Sequence, residues 1–397
     1  RTARSIRPAG SAQHAGNDFP RQSSGAKGGV NAGASERGDM LKTALTESLG
    51  CEVPIIQTAM GWVATPELVI GSVSAGAMGF LAAAVMTPDQ CETALRQIKE
   101  AADAPFGVNL HSFQPGVDRI IDLCIDYEVA AISYGRAPSA AMIDKVKSRG
   151  IKCVPTIGAA KHAPKAVALG ADMVICQGGE GGGHTGETPT WLLLGQVLDM
   201  DLGVPVVACG GVKDGRGLAA ALTFGADGIA MGTRFLLTAE SPTPQATKAR
   251  YLDSEVTAIN VSTRLDGLLQ RMIMNQRLQA LESASWVRML AIALQSGWRF
   301  KEHNDAGYVE MLRSAWAMSR DGDTSLAQTI LAANAPMIIQ QAMVAGRPDE
   351  GVLPSGQVAG LIDDLPTCAD LVCSIVEEAL ERLVVHASEK PEVEHAV

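Results

Sequence analysis

Short apolar segments alternate with longer amphipathic segments eight times between residues 54 and 231. The apolar segments start 24, 28, 23, 23, 21, 32 and 23 residues apart, a spacing that fits one strand, one helix and two short loops. Eight consecutive strand–helix units can close into a parallel barrel, so we predict an α/β fold, a (β/α)8 TIM barrel. The predicted strands are Pro54–Met60, Met78–Ala82, Phe106–Leu110, Val129–Ser133, Lys152–Ile157, Met173–Gln177, Pro205–Ala208 and Gly228–Met231.

Turn residues support this alternation. Thr65 with Pro66 places a cap and a proline at a predicted helix start, and Gly150 and Gly225 stand where helices are expected to end. A doubly wound open sheet is the structural alternative. Such a sheet carries its phosphate-binding glycines at the first strand-to-helix turn, whereas the comparable glycines here come late in the chain, which favours the barrel.

Composition and pattern divide the chain into three parts. Residues 1–39 are rich in Ser, Gly, Ala and Arg, and we expect a disordered leader or an added non-native segment, with an organelle transit peptide as the alternative. Residues 40–244 are predicted to form the barrel. Residues 245–397 are predicted to form a C-terminal helical cap, whose last helix docks on the barrel. The expected cap helices are Leu265–Phe300, Tyr308–Met318, Leu326–Val344 and Cys368–Val384.

Charge and cysteine usage narrow the partners. The chain has 33 Lys and Arg against 43 Asp and Glu, and no basic stripe interleaved with aromatics, so nucleic acid is not an expected partner. No apolar segment is long enough to span a bilayer, so no membrane partner is expected. The eight cysteines lack CxxC pairs or metal-site spacing. This predicts a cytoplasmic protein whose cysteines are reduced and which has no metal site. The sequence is compatible with a homo-oligomer.

Two glycine turns follow the seventh and eighth predicted strands. Gly210 and Gly211 lie in the segment ACGGV, and Gly232 and Thr233 lie in AMGTR. In a barrel these two turns are neighbours on the catalytic face, where bare backbone N–H groups can approach a phosphate closely. The alternative is that they are tight turns without a ligand. The pair of turns favours phosphate binding, and we assign these four residues as phosphate ligands.

The sixth loop is longer than its neighbours and contains QGGEGGGHTGE. Gly181, Gly182 and Gly183 remove side chains where a flat ring system could lie against the backbone. His184 follows directly, and a titratable group beside bare backbone on the catalytic face is typical of a catalytic residue. His184 is therefore the catalytic candidate. His111 and His162, after the third and fifth strands, come next.

The motifs PIIQTAMGWVATPEL, PFGVNL, ADMVICQGGEGGGHTG, PVVACGGVKDGRGLAAALTFGADGIAMGTRFLLTAES and SGQVAGLIDD together resemble the nitronate monooxygenase superfamily over Pro54 to about Asp364. The resemblance implies FMN as cofactor and His184 as the residue that moves a proton. Thr58 and Ala59 stand where that pattern usually has glycines, which weakens nitronate oxidation as the activity. The implied FMN contacts are Met60, Gly61, Asn109, Gln177, Gly182, Gly211, Ala230, Met231, Gly232 and Thr233.

Within the superfamily, TIGAAKHAPK, AANAPM and GVLPSGQVAGLIDDLPTC resemble the branch that acts on ring-opened steroid acyl-CoA in bacteria. The resemblance implies hydride exchange between the flavin and a CoA thioester, with NADH or NADPH as electron donor. Nitronate oxidation, enoyl thioester reduction, and a non-redox phosphate-binding barrel or flavin-binding sensor are the alternatives. An anionic CoA needs local cations in a chain of formal charge −10. The candidates are Arg271, Arg277, Arg288, Arg299 and Lys301.

Overall fold

Eight parallel strands close into a barrel in the computed structural model, which describes residues 41–135, 138–284 and 326–388. The neighbours in the barrel are β1-β2-β3-β4-β5-β6-β8-β9, and the last strand pairs with the first in parallel. All eight predicted strands are present, so the prediction of a (β/α)8 barrel is confirmed. The barrel strands are β1 Ile55–Gln57, β2 Met78–Ala82, β3 Phe106–Asn109, β4 Ala131–Tyr134, β5 Lys152–Ile157, β6 Val174–Gln177, β8 Val206–Cys209 and β9 Gly228–Met231.

Helices follow the barrel strands and cover the outside of the barrel. Proline at the first turn and a threonine cap mark the starts of the two helices that follow β1 and β2, as the sequence predicts. The described α-helices, numbered in chain order, are α1 Ala44–Leu49, α2 Pro66–Ser74, α3 Pro88–Ala101, α4 Val117–Asp126, α5 Ala140–Lys147, α6 Ala163–Ala168, α7 Thr190–Leu198, α8 Gly215–Phe224, α9 Thr233–Leu236, α10 Gln245–Leu252, α11 Gln276–Glu282, α12 Leu326–Met343 and α13 Cys368–Ser388.

The barrel interior is filled by side chains. Because successive side chains of a strand alternate between its two faces, every second residue points inward, and Ile56, Met78 and Phe80 belong to this inner cluster. Gly107 leaves room for Phe80, since a Cβ at Gly107 would lie 2.3 Å from that ring. Leu45 of α1 joins the same cluster. The interior is therefore a packed core, and a ligand binds at its mouth rather than within it.

An antiparallel hairpin follows the barrel, and the sequence interpretation missed it. Strand β10 (Ile259–Ser262) pairs with β11 (Gln270–Ile273), and β11 also pairs with a short strand β7 (Gly183–His184) in the sixth loop. The prediction that strands stop after residue 244 is wrong, and the described part of Leu265–Phe300 is helical only at Gln276–Glu282. The hairpin turn contains Gly267 at φ 86°, a left-handed conformation that ends any helix, and the partner of β11 lies far away in the sequence.

The terminal helices are described for residues 326–343 and 368–388. Helix α13 packs against α8 and α2 on the outside of the barrel. The carboxylate of Glu378 accepts a hydrogen bond from the N–H of Gly215, the first residue of α8, at 2.9 Å. Within the described residues, no helix is long and apolar enough to cross a membrane. The predictions for residues 1–39 and for a helix at Tyr308–Met318 lie outside the described residues.

The contact between α13 and α8 requires a glycine. A Cβ at Gly215 would lie 2.5 Å from the backbone oxygen of Ile375 and 2.5 Å from Cβ of Glu378. We expect Gly215→Val to lower the free energy of unfolding by about 1–3 kcal/mol, because the added methyl groups overpack this interface. Urea denaturation measures the change. Gly195→Ala in α7 is the control, since its Cβ would meet Phe224 at an ordinary 3.5 Å. Equal stability of the two variants would contradict the prediction.

Candidate active site

The predicted site residues lie toward one end of the barrel, because each follows a parallel strand or is among its last two residues. Met60 and Gly61 follow β1, and Asn109 and Gln177 are the last residues of β3 and β6. The structure also brings the turn after β1, the first barrel strand, next to the turn after β9, the last one. A Cβ at Gly232 would lie 3.0 Å from Oγ1 of Thr58 and 3.4 Å from Sδ of Met60. The remaining predicted residues are Gly182 and Gly183 after β6, Gly210 and Gly211 after β8, Ala230 and Met231 in β9, and Gly232 and Thr233 directly after it.

The two glycine turns have the backbone that a phosphate site needs. Gly210 and Gly211 have φ values of 106° and 74°, in the left-handed region that favours glycine. Among the described residues, no backbone acceptor takes the N–H of Gly211 or Gly232. Thr233 begins α9, so its own N–H also lies in the unpaired first turn of a helix. Adjacent backbone N–H groups without protein acceptors fit a phosphate monoester such as that of FMN.

A segment late in the chain, Gly356 and Gln357, also contacts this site. The N–H of Gly356 donates to Oγ1 of Thr233 at 2.9 Å, and the N–H of Gln357 donates to the backbone oxygen of Glu180 at 3.0 Å. This segment therefore bridges the sixth loop and the turn after β9. Sequence reasoning used it only as part of the family resemblance. It borders a cavity of about 270 Å³ lined by Glu180, Trp191, Gly210, Gly211, Val212, Gly217, Val256, Gln357, Val358 and Leu361.

The glycines of the sixth loop are required first of all by protein packing. A Cβ at Gly182 would lie 2.5 Å from the N of Gly356, and one at Gly181 would lie 2.8 Å from the side chain of Gln177. Only Gly183 within this triplet, at φ 66°, has no atom within 4 Å of its ideal Cβ. The glycines at positions 181 and 182 are thus explained by packing as well as by the predicted room for a flat ring. Contact between Gly182 or Gly183 and the flavin stays a prediction.

His184 is held by strand pairing and by a buried carboxylate. In β7 it pairs with Gln270 of β11, and its backbone oxygen accepts a hydrogen bond from the side chain of Gln177 at 2.7 Å. Its Nε2 lies 2.7 Å from Oδ2 of Asp266. The His184 side chain is 61% exposed, whereas that of Asp266 is 8% exposed. The protein therefore holds the Nε2 edge of the imidazole, while most of the ring stays exposed.

Asp266 is ionised in this arrangement. Burial raises the pKa of its carboxyl group, but the hydrogen bond from His184, the charge that the imidazole carries when protonated, the N–H of Leu268 and the amide of Gln270 outweigh burial, so the pKa lies below its usual value. The N–H of Leu268 donates to Oδ1 of Asp266 at 3.0 Å. Sequence reasoning missed Asp266 and Gln270. The signal was the Asp266-Gly267 dipeptide, which is typical of a hairpin turn between apolar segments.

The other candidate residues are placed as follows. His111, after β3, stacks its ring on Phe113 with the centroids 5.2 Å apart, and His162 ends a short turn after β5. Arg271, a predicted CoA contact, donates instead to the backbone oxygen of Gly179 at 2.6 Å and to that of Ile259 at 3.0 Å. Arg277 is partly buried, and burial lowers the pKa of its guanidinium. Arg288, Arg299 and Lys301 lie outside the described residues.

No group of three or more His, Cys, Asp or Glu is placed to hold a metal ion within the described part of the chain. Seven of the eight cysteines are buried, and burial raises the pKa of the Cys176 thiol and of the Cys209 thiol to about 12. A thiol with so high a pKa stays protonated near neutral pH and is a poor nucleophile. Among the described residues, His184 with Asp266 stays the candidate for proton transfer.

A parallel βα barrel with paired phosphate-type turns after its last two strands and a histidine–carboxylate pair at its mouth defines a cofactor-binding barrel enzyme. The sequence profile of nitronate monooxygenase matches residues 42–120 and 111–378, and the chain belongs to the nitronate monooxygenase family. It is an oxidoreductase of this flavin-dependent family, as the sequence predicts.

Relatives and solved structures agree with this assignment. The (3aS,4S,5R,7aS)-5-hydroxy-7a-methyl-1-oxo-octahydro-1H-indene-4-carboxyl-CoA dehydrogenase of Rhodococcus jostii is 46% identical over 343 residues, 86% of this chain and 97% of the relative. FabK from Thermotoga maritima superposes with a TM-score of 0.69 at 26% identity, covering 87% of this chain and 99% of that chain. The nitroalkane oxidase of Streptomyces ansochromogenes superposes with a TM-score of 0.68 at 25% identity, covering 87% of this chain and 100% of that chain.

The role of the turn after β8 can be tested with two matched glycines. Gly211 and Gly203 have φ values of 74° and 69°, and neither has a protein atom closer than 3.6 Å to its ideal Cβ. Alanine at either position costs about 1–2 kcal/mol of backbone strain. We expect Gly211→Ala to weaken flavin binding at least tenfold, because the Cβ and the strained backbone displace the N–H groups from the phosphate. Gly203→Ala should keep its flavin. Fluorescence titration of the apoproteins with FMN measures both affinities, and equal affinities would show that the turn is only structural.

Proposed function

We propose that this enzyme is an FMN-dependent dehydrogenase of a CoA thioester whose acyl group is a fused ring system derived from a steroid. The observation that carries the chemistry is the His184–Asp266 pair at the barrel mouth, beside the two glycine turns. The substrate class is supported by the relative at 46% identity, whose name specifies a bicyclic carboxyl-CoA. NADH or NADPH, or their oxidised forms, are proposed to exchange electrons with the flavin.

The proposed cofactor site uses the residues at the mouth. The N–H groups of Gly211, Gly232 and Thr233 would hold the phosphate of FMN, and the amides of Asn109 and Gln177, at the ends of their strands, would contact its ring. When bound, FMN accepts a hydride, which is the two-electron chemistry that no side chain supplies. Asn109 is oriented by its amide, which donates to the backbone oxygen and to Oγ of Ser133, both at 3.1 Å.

The hydrogen bonds determine which nitrogen of His184 can act as a base. Asp266 is ionised and can only accept, so Nε2 of His184 carries the proton between them. Nδ1 is then the unprotonated nitrogen and can accept a proton from the substrate. The thioester carbonyl makes the hydrogen on its α-carbon acidic, and removal of that proton by Nδ1 accompanies loss of a hydride from the β-carbon, which leaves a carbon–carbon double bond.

Asp266 stabilises the positive charge that His184 gains in this step. Because Asp266 is buried, the solvent screens their attraction less than it would between two exposed groups. The amide of Gln270 is buried and also donates to Oδ2 of Asp266, which fixes the carboxylate against the histidine. Enoyl thioester reduction, the reverse reaction, would use the same residues with His184 as proton donor.

Nitronate oxidation is the second candidate function. It is favoured by the family profile and by the structural similarity to a nitroalkane oxidase. In that reaction His184 would remove the proton from the carbon that bears the nitro group, so the same histidine and carboxylate would act. The two functions differ in the substrate that reduces the flavin. Anaerobic mixing of the holoenzyme with a bicyclic carboxyl-CoA and, separately, with 2-nitropropane decides between them, since loss of the flavin absorbance reports reduction.

The proton-transfer role of His184 gives a quantitative expectation. His184→Asn should retain the flavin spectrum and lower the rate of flavin reduction by about two to four orders of magnitude, the usual contribution of general acid–base catalysis. Asp266→Asn should lower the same rate by about tenfold or more with little change in KM, because the imidazole loses its orienting acceptor. Stopped-flow absorbance measures both rates. Reduction at the wild-type rate in His184→Asn would move the role to another residue.

A further inference from the structure

Three loops on one side of the barrel mouth carry apolar side chains, of which those of Val85 and Phe113 are exposed and that of Trp62 is half-buried. Trp62 follows β1, Val85 ends the short turn after β2, and Phe113 follows β3. Val85 is 37% exposed and Phe113 is 43% exposed. Large apolar side chains that point to solvent from consecutive loops of a catalytic face are typical of a binding surface. We call these three residues the apolar wall.

The loops of the apolar wall form one connected surface. A Cβ at Gly61, next to Trp62, would lie 3.3 Å from Cγ1 of Val85, so the first two loops are in contact. The side chain of Gln114 donates to the backbone oxygen of Ala83 at 3.0 Å, and its Oε1 accepts from the N–H of His111 at 2.7 Å. These bonds join the third loop to the second. The wall is thus held together by the protein itself.

The strand order places this wall across the mouth from His184. The barrel neighbours run β1-β2-β3-β4-β5-β6-β8-β9 and close on themselves. In a ring of eight strands, the strand opposite β6 is β2, so the loops after β1, β2 and β3 face the loop after β6. His184 lies in that loop. A molecule whose reacting carbon lies at His184 can therefore reach the apolar wall across the mouth.

The backbone at Trp62 gives independent support. Trp62 has φ 62°, in the left-handed region that a bulky side chain rarely adopts. Such a conformation persists only where surrounding structure imposes it, and it is found preferentially at ligand-binding and catalytic positions. Glycine would take this backbone without strain. The turn itself therefore does not require an indole at this position.

We propose that the apolar wall binds the fused ring system of the acyl group and that Trp62 and Phe113 determine the preference for ring-bearing over short-chain thioesters. This inference rests on the proposed function for the identity of the reaction. Its physical basis is that ring faces buried against an indole and a phenyl ring gain free energy in proportion to the apolar area removed from water, whereas a short acyl chain buries little.

The experiment compares two probes, the CoA thioester of a decalin carboxylic acid and butyryl-CoA. They share the nucleotide and the thioester and differ in the ring. Isothermal titration of the holoenzyme measures Kd, and steady-state kinetics measure kcat/KM. We expect the wild type to prefer the decalin thioester at least tenfold by both measures. Trp62→Gly and Phe113→Ser should each reduce that preference several-fold or more, while Trp62→Phe retains most of it.

A control variant separates ring binding from general loss of an exposed aromatic side chain. Phe224 is 48% exposed, ends α8 outside the three loops of the apolar wall, and packs its ring on Trp191. Phe224→Ser should leave the preference unchanged. Trp62→Gly should keep or raise the melting temperature, because it relieves the left-handed strain. A melting temperature that falls while the preference stays constant would show that Trp62 is structural and would overturn the proposal.

The two proposals fail in different ways. If neither thioester is oxidised, the proposed function is wrong, yet the Kd ratio still decides whether the wall recognises rings. If both thioesters are oxidised at equal kcat/KM and bind with equal Kd, the dehydrogenase assignment stands and the apolar wall is wrong. Unchanged preference in both Trp62→Gly and Phe113→Ser overturns it as well.

Discussion

The pairing of β7 with β11 is the interaction on which the candidate active site depends. It joins a two-residue strand in the sixth loop of the barrel to a hairpin about 86 residues later in the chain, and it places His184 opposite Gln270. Without this pairing the imidazole would stand on a glycine-rich loop in which only a few side chains, among them Gln177 and Glu180, make hydrogen bonds. The pairing also brings Asp266, in the hairpin turn, to the imidazole. The geometry of the candidate site thus depends on backbone hydrogen bonds between β7 and β11, which tolerate little displacement.

The glycine loop is held tightly although it contributes few side chains. Thr190 packs into it, since a Cβ at Gly178 would lie 2.2 Å from its Oγ1 and one at Gly210 would lie 2.9 Å away. Glu180 accepts hydrogen bonds from the N–H and the hydroxyl of Thr190 at 2.9 and 2.7 Å. Arg271 holds the loop from the hairpin side. Glycine here allows close approach of other segments, and rigidity comes from the hydrogen bonds that close approach permits.

The sequence predicted the barrel and most of the parts of its mouth, because both depend on local patterns. A strand of four apolar residues and a glycine after it are visible within a few positions, and the spacing of eight such units determines the architecture. The hairpin was missed for the opposite reason. The segment around Gln270 has apolar residues that also fit a helix, and its pairing with residues 183 and 184 is a long-range contact that no local pattern contains. Asp266 was missed with it, although the Asp266-Gly267 dipeptide indicates a turn.

The contact of Gly356 with the turn after β9 affects the order in which the barrel and its mouth form during synthesis. Its hydrogen bond to Thr233 spans 123 residues of chain. All eight barrel strands leave the ribosome before this segment does, so a barrel can close while its phosphate-type turns are still open on one side. Closing so long a loop costs little more than closing a shorter one, because the entropy lost grows with the logarithm of loop length. Closure of the barrel and completion of its mouth by Gly356 and Gln357 can therefore be two separate steps of folding.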